Sequence, residues 1–64
     1  SNFGIFSEVA NCIFSCGLVE DAQGNYHVAI DHFKKSYQIY KEIGDEFGSE
    51  QSLRAKMLAE LRSM

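Results

Sequence analysis

Hydrophobic residues recur at intervals of three and four along most of the chain, and glycines divide the pattern into three stretches. In the first, Phe6, Val9, Ile13, Cys16 and Val19 form a stripe with Ala10, Phe14 and Leu18 alongside. That spacing predicts a helix over about 5–23 with a wide apolar face. Gly24 supplies the left-handed residue that closes such a helix. Asn25 stands where an N-cap is wanted, and a second helix is expected over about 26–43. Within it Tyr26, Ala29, Phe33, Ser36, Tyr40 and Ile43 draw one face, and Ile30, Tyr37 and Ile39 a second. A helix apolar on two sides needs a neighbour on each. Gly44-Asp45 ends it, and Lys41 near that end complements the helix dipole. A third helix is expected after Gly48, over about 49–63, with Leu53, Met57, Leu58 and Leu61 as its stripe. Alternation of period two never persists beyond three or four residues. The expected class is all-α: an antiparallel helical hairpin plus a third helix.

A shift of 44 residues lays Asn2-Phe3-Gly4 on Glu46-Phe47-Gly48, Val9 on Leu53, Ile13 on Met57 and Phe14 on Leu58. Similarity within a chain at such a period is the mark of stacked repeats. On this reading the third helix opens a further unit whose second helix is missing.

The stretch from Cys16 to Gly48 carries a more specific pattern. Gly17 lies in the first helix, Gly24-Asn25-Tyr26 at the turn, and Ala29, Phe33 and Ser36 follow at small-large-small spacing, with Ile39 and Tyr40 beyond. This pattern resembles a tetratricopeptide repeat (TPR). The resemblance implies that Gly17, Ala29 and Ser36 serve close helix crossings, and that Tyr26 and Phe33 fill the gaps. Lys41 stands where the 34-residue unit usually ends in proline. The Gly44-Asp45 ending is similar to the longer variant of about 40–44 residues. Ile13 and Glu20 stand where the family usually carries aromatics. The resemblance covers about 50 of the 64 residues. A second resemblance, through Asp21-Ala22-Gln23-Gly24-Asn25-Tyr26 with Ala29, Phe33 and Ser52-Leu53-Arg54-Ala55-Lys56, is to the MIT domain. That three-helix family binds helical tails of membrane-remodelling proteins, and its second helix is about a turn longer than the one expected here.

Composition narrows the function. The chain has 64 residues, 45% of them hydrophobic, with no proline and a net charge of -3. This excludes a disordered chain and disfavours nucleic acid or an anionic membrane surface as the main partner. No continuous run reaches the ~18 apolar residues of a spanning helix, so membrane insertion is not expected. The start lacks a basic segment and an initiator Met, which suggests a processed or excised fragment without a targeting peptide. Below ~70–80 residues one core rarely supplies more than ~3–5 kcal/mol, so a neighbour is expected to complete the fold.

The chemistry-bearing residues point to binding, not catalysis. Cys12 and Cys16 lie four apart in an apolar stretch, so they are expected to be reduced, inert packing residues in a cytoplasmic setting. With His27 and His32 they spell C-x3-C-x10-H-x4-H, but a zinc finger sets its cysteines on a hairpin, and the two histidines point to different helix faces. No metal and no cofactor is expected. Adjacent Glu20 and Asp21 diverge around a helix, which is wrong for an acid/base pair. Lys34-Lys35 is a solvated surface. The TPR resemblance implies a concave groove lined by the first helix, at Asn11, Phe14, Leu18, Asp21 and Ala22. There Asn11 is suited to a ligand backbone and Phe14 with Leu18 to an apolar anchor. No Lys or Arg stands among them to clamp an acidic tail. The expected partner is a protein or peptide, including another copy of the chain.

Overall fold

The computed structural model describes residues 2–64, which form three helices: α1 (Asn2–Ala22), α2 (Tyr26–Glu42) and α3 (Glu46–Arg62). No strand occurs among the described residues. Successive helices run antiparallel. α2 packs against both neighbours, while α1 and α3 barely touch. The all-α class and the two-sided second helix are therefore present as expected.

Both turns are built in the same way. Asn25 N–H donates to the Glu20 carbonyl at 2.8 Å and Gly24 N–H to that of Asp21 at 3.1 Å. At the next turn Asp45 N–H donates to the Tyr40 carbonyl at 2.9 Å and Gly44 N–H to that of Lys41 at 3.2 Å. Each pair satisfies carbonyls left open at a helix C-terminus. The geometry needs a left-handed residue between, and Gly24 (φ 83°) and Gly44 (φ 76°) provide it. Asn25 sits at the start of α2 but makes no side-chain capping bond.

Two helix starts come earlier than expected. α1 begins at Asn2, because Gly4 lies in its first turn and nothing there interrupts the backbone ladder. α3 begins at Glu46, not near Ser49. Asp45, read as part of a stop, is also a start: its Oδ1 accepts the Gly48 N–H at 2.9 Å. This is the bond an N-cap makes to the third helical residue. Gly48 is thus inside the helix.

The interior is made of small residues around two rings. Ala10 and Gly17 of α1, Ala29, Phe33, Ser36 and Tyr40 of α2, and Gly48, Ser49, Ser52 and Ala59 of α3 are buried. Phe33 lies over Gly17: a Cβ added there would stand 2.6 Å from Cε1 of the ring. Tyr40 lies over Gly48, where an added Cβ would stand 2.5 Å from its Cδ1. Between the rings, Ser36 Oγ and Ser52 Oγ are 2.8 Å apart, and Ser36 also donates to the Phe33 carbonyl at 3.0 Å. Both hydroxyls are fully buried, so their mutual bond avoids leaving polar atoms unpaired.

This close packing reverses the expected faces of the outer helices. The stripe of α3 (Leu53, Met57, Leu58 and Leu61) is exposed, Leu61 by 65%. On α1, Phe6, Val9 and Val19 are exposed as well, and Ile13 is half-buried. The glycines and alanines face α2 because only they admit its rings at this distance. Gly17→Ala and Gly48→Ala each force a buried ring to move, an overpacking cost of ~1–3 kcal/mol that exceeds the ~1 kcal/mol gained in helix propensity. Both variants should lower the urea midpoint. Gly4→Ala, with nothing within 4 Å of the added carbon, should hold or raise it.

Candidate partner-binding surface

The five groove positions expected on α1 follow 3-4-3 spacing, with Ala22 beside Asp21, so they share one side of the helix. The structure gives them different surroundings. Leu18 is 47% exposed, and Ala22, in the last turn of α1, is exposed. Phe14 is half-buried, its ring 5.4 Å from that of Phe33 with planes inclined by 48°. That contact serves the core as much as any groove. Asn11 accepts a hydrogen bond from the Tyr40 hydroxyl through Oδ1, so part of its bonding capacity is already used. Asp21 Oδ2 lies 2.5 Å from Arg62 Nη1, while its Oδ1 is buried without a partner among the described residues.

Two of these contacts, and a third beside them, involve residues not singled out as site residues. Tyr40 and Arg62 link the stripe on α1 to α2 and α3. His32 Nδ1 lies 2.6 Å from Glu20 Oε1 and 3.1 Å from the Val28 carbonyl. The signal was in the sequence. Two acidic residues in the last turn of a helix face its negative dipole end and require cationic or donor partners. Arg62 is positioned to supply one because α1 and α3 run parallel and end side by side.

The tyrosine hydroxyl is held in its neutral form. Burial raises the Tyr40 pKa above its ordinary 10.0, and the nearby Asp45 carboxylate adds to the rise. The neutral phenol is the form that donates to Asn11.

Other candidates are dispersed. Cys12 and Cys16 are exposed, which corrects their reading as buried packing residues. The apolar run containing them faces outward because Ala10 and Gly17 take the inward side. His27 is exposed on α2, apart from the cysteines, and no group of three or more His, Cys, Asp or Glu converges among the described residues. Lys34 and Lys35 are exposed. α1 is long and apolar enough, by length and composition, to cross a membrane, which the criterion of an unbroken apolar run had missed. The core helix of a soluble protein and an N-terminal signal sequence pass the same test, and 17% of the apolar window of α1 is buried, with Gly17 held closely against α2.

Two clefts flank α2. One of about 460 Å³ is lined by Lys34, Tyr37, Gln38, Leu53 and Lys56. The other, about 380 Å³ and mostly apolar, is lined by Phe6, Val9, Ile39, Glu42 and Ile43. Comparison of the chain with protein-family models, curated proteins and solved structures returns no match.

The Tyr40 environment sets an alkaline limit. A folded-state pKa above the unfolded value means the native state holds the proton longer, so its contribution is intact below pH ~10 and falls as pH rises through the folded value. At neutral pH Tyr40→Phe should cost ~0.5–1.5 kcal/mol, the worth of the lost bond to Asn11. Above pH ~10 the gap between parent and variant should close, as measured by urea unfolding at a series of pH values.

Proposed function

We propose that this chain is a non-catalytic protein-interaction module, a TPR-like unit of a helical array that binds a peptide or helix along α1 and works in the cytoplasm. The observation that carries the reading is the distribution of apolar surface. α2 is covered on both sides, whereas the outer faces of α1 and α3 keep Phe3, Ile5, Val19, Phe47, Met57 and Leu61 exposed. Exposed apolar side chains gathered on one face mark interaction sites, and Ile5 and Val19 share one face of α1. The 44-residue echo between the starts of α1 and α3 also supports a stacked arrangement, in which each outer face meets a further helix.

Within the groove, Leu18 is the residue free to act as an anchor. Phe14 supports Phe33, so truncating it confounds binding with folding. Peptides of about sixteen residues selected on the chain from a random display library provide the test. Leu18→Asp should weaken the selected peptides by about tenfold or more while leaving the unfolding midpoint within experimental error. Selected peptides that bind Leu18→Asp as tightly as the parent would remove the groove from α1.

A further inference from the structure

A second stripe runs along α1, separate from the groove. Ile5, Val9, Cys12, Cys16 and Val19 repeat at 4-3-4-3 and are all exposed, Ile5 by 60% and Val19 by 56%. That spacing is the a/d seam of a coiled coil, presented to solvent by a helix whose inward side is occupied by Ala10 and Gly17. We infer that this seam docks against the same seam of a second copy of the chain, antiparallel, with Cys12 of each copy facing Cys16 of the other.

Three features of the seam specify that occupant. First, the four inner positions of the seam, Val9 to Val19 at 3-4-3, read the same in reverse, with Ile5 outside that symmetric stretch. Turned about residue 14, Val9 falls on Val19 and Cys12 on Cys16, so the surface is complementary to itself under a two-fold axis. Second, its charges permit the pairing. The seam carries none, and the two acids beside it lie on opposite flanks, Glu8 with Ser15 and Ala22, and Glu20 with Phe6 and Ile13. Antiparallel pairing sets each flank against its own reverse, so Glu8 meets the end bearing Ala22 and Glu20 the end bearing Phe6. No like charges are opposed. Third, the area is sufficient. Full cover of the five side chains, with Phe6 at the edge, would bury on the order of 1,000 Å² between two copies, the lower bound for a specific contact and the size of a weak dimer.

The inference does not rest on the groove reading, which uses Leu18 on another side of α1, and each can fail without the other. The seam has a readout of its own in the two thiols, which are unpaired and exposed. Cys12→Ser and Cys16→Ser each leave one thiol per chain, which rules out a bond within the chain. Diamide then serves as the oxidant: two thiols form one disulfide and pass two hydrogens to diamide, which becomes the hydrazine. In the proposed register neither variant faces a thiol in its own kind, but a mixture of the two does. Sedimentation equilibrium of the parent at tens of micromolar should show a dimer. Val9→Asp should weaken that dimer by at least about 30-fold with helical content retained by circular dichroism. Diamide should cross-link the mixture and leave each variant alone largely uncross-linked. A monomeric parent, a dimer indifferent to Val9→Asp, or a mixture that cross-links no better than the variants alone would overturn the inference.

Discussion

Two rings on α2, each resting on a glycine of a neighbouring helix, set the spacing of the whole structure. Phe33 over Gly17 fixes how near α1 comes, and Tyr40 over Gly48 does the same for α3. The rings are seven residues apart, two helical turns, so they point to nearly the same side of α2 and reach different neighbours, Phe33 from the middle of the helix and Tyr40 from near its C-terminal end. Ser36 lies between them and bridges to Ser52. Tyr40 adds a third connection, because its hydroxyl reaches past the glycine contact to Asn11 on α1. One side of one helix therefore organises all three.

Everything outward follows from that choice of small residues for the inside. A helix that presents glycine, alanine and serine to its partner has to place its larger apolar residues elsewhere. In α1 and α3 most of them are on the outside, Phe14 excepted, so few of the aliphatic side chains join the internal core. Among the described residues, Phe33 is the one large apolar side chain that is fully buried. Burying such a side chain is worth about 1.5–3 kcal/mol. The rest of the apolar surface is available to another molecule.

This explains which parts of the structure were legible in the sequence. The three helices, both left-handed glycines and the two-sided second helix could be read from period and punctuation. In α2 the two large rings that are buried, Phe33 and Tyr40, lie on the face the apolar pattern draws, together with Ala29 and Ser36, so pattern and packed face coincide. In α1 and α3 they do not, and a pattern of Leu, Met and Val marks the wrong side. Gly17 was legible as a close contact through the TPR resemblance. Gly48 was not, since a glycine next to Ser49 after Gly44-Asp45 reads as punctuation until the ring of Tyr40 is seen above it. On the groove stripe the helical spacing was legible but the partners were not. Tyr40 and Arg62 lie 29 and 41 residues from Asn11 and Asp21 in sequence, and only the packing of three helices brings them together.

The polar contacts show why the arrangement can be both open and specific. Glu20 with His32 and Asp21 with Arg62 stand where α1 ends, and all four side chains keep some exposure to water. Surface pairs of this kind are worth at most about 1 kcal/mol each and add little to stability. They are more informative about register. Arg62 can meet Asp21 only if α1 and α3 end at the same level, and His32 can meet Glu20 only if α2 is placed as the ring of Phe33 over Gly17 requires. The core therefore sets the distance between helices, while the weak pairs at the edge favour one longitudinal alignment. Neither needs the outer apolar faces, and those faces are left free to bind without disturbing the contacts that hold the three helices together.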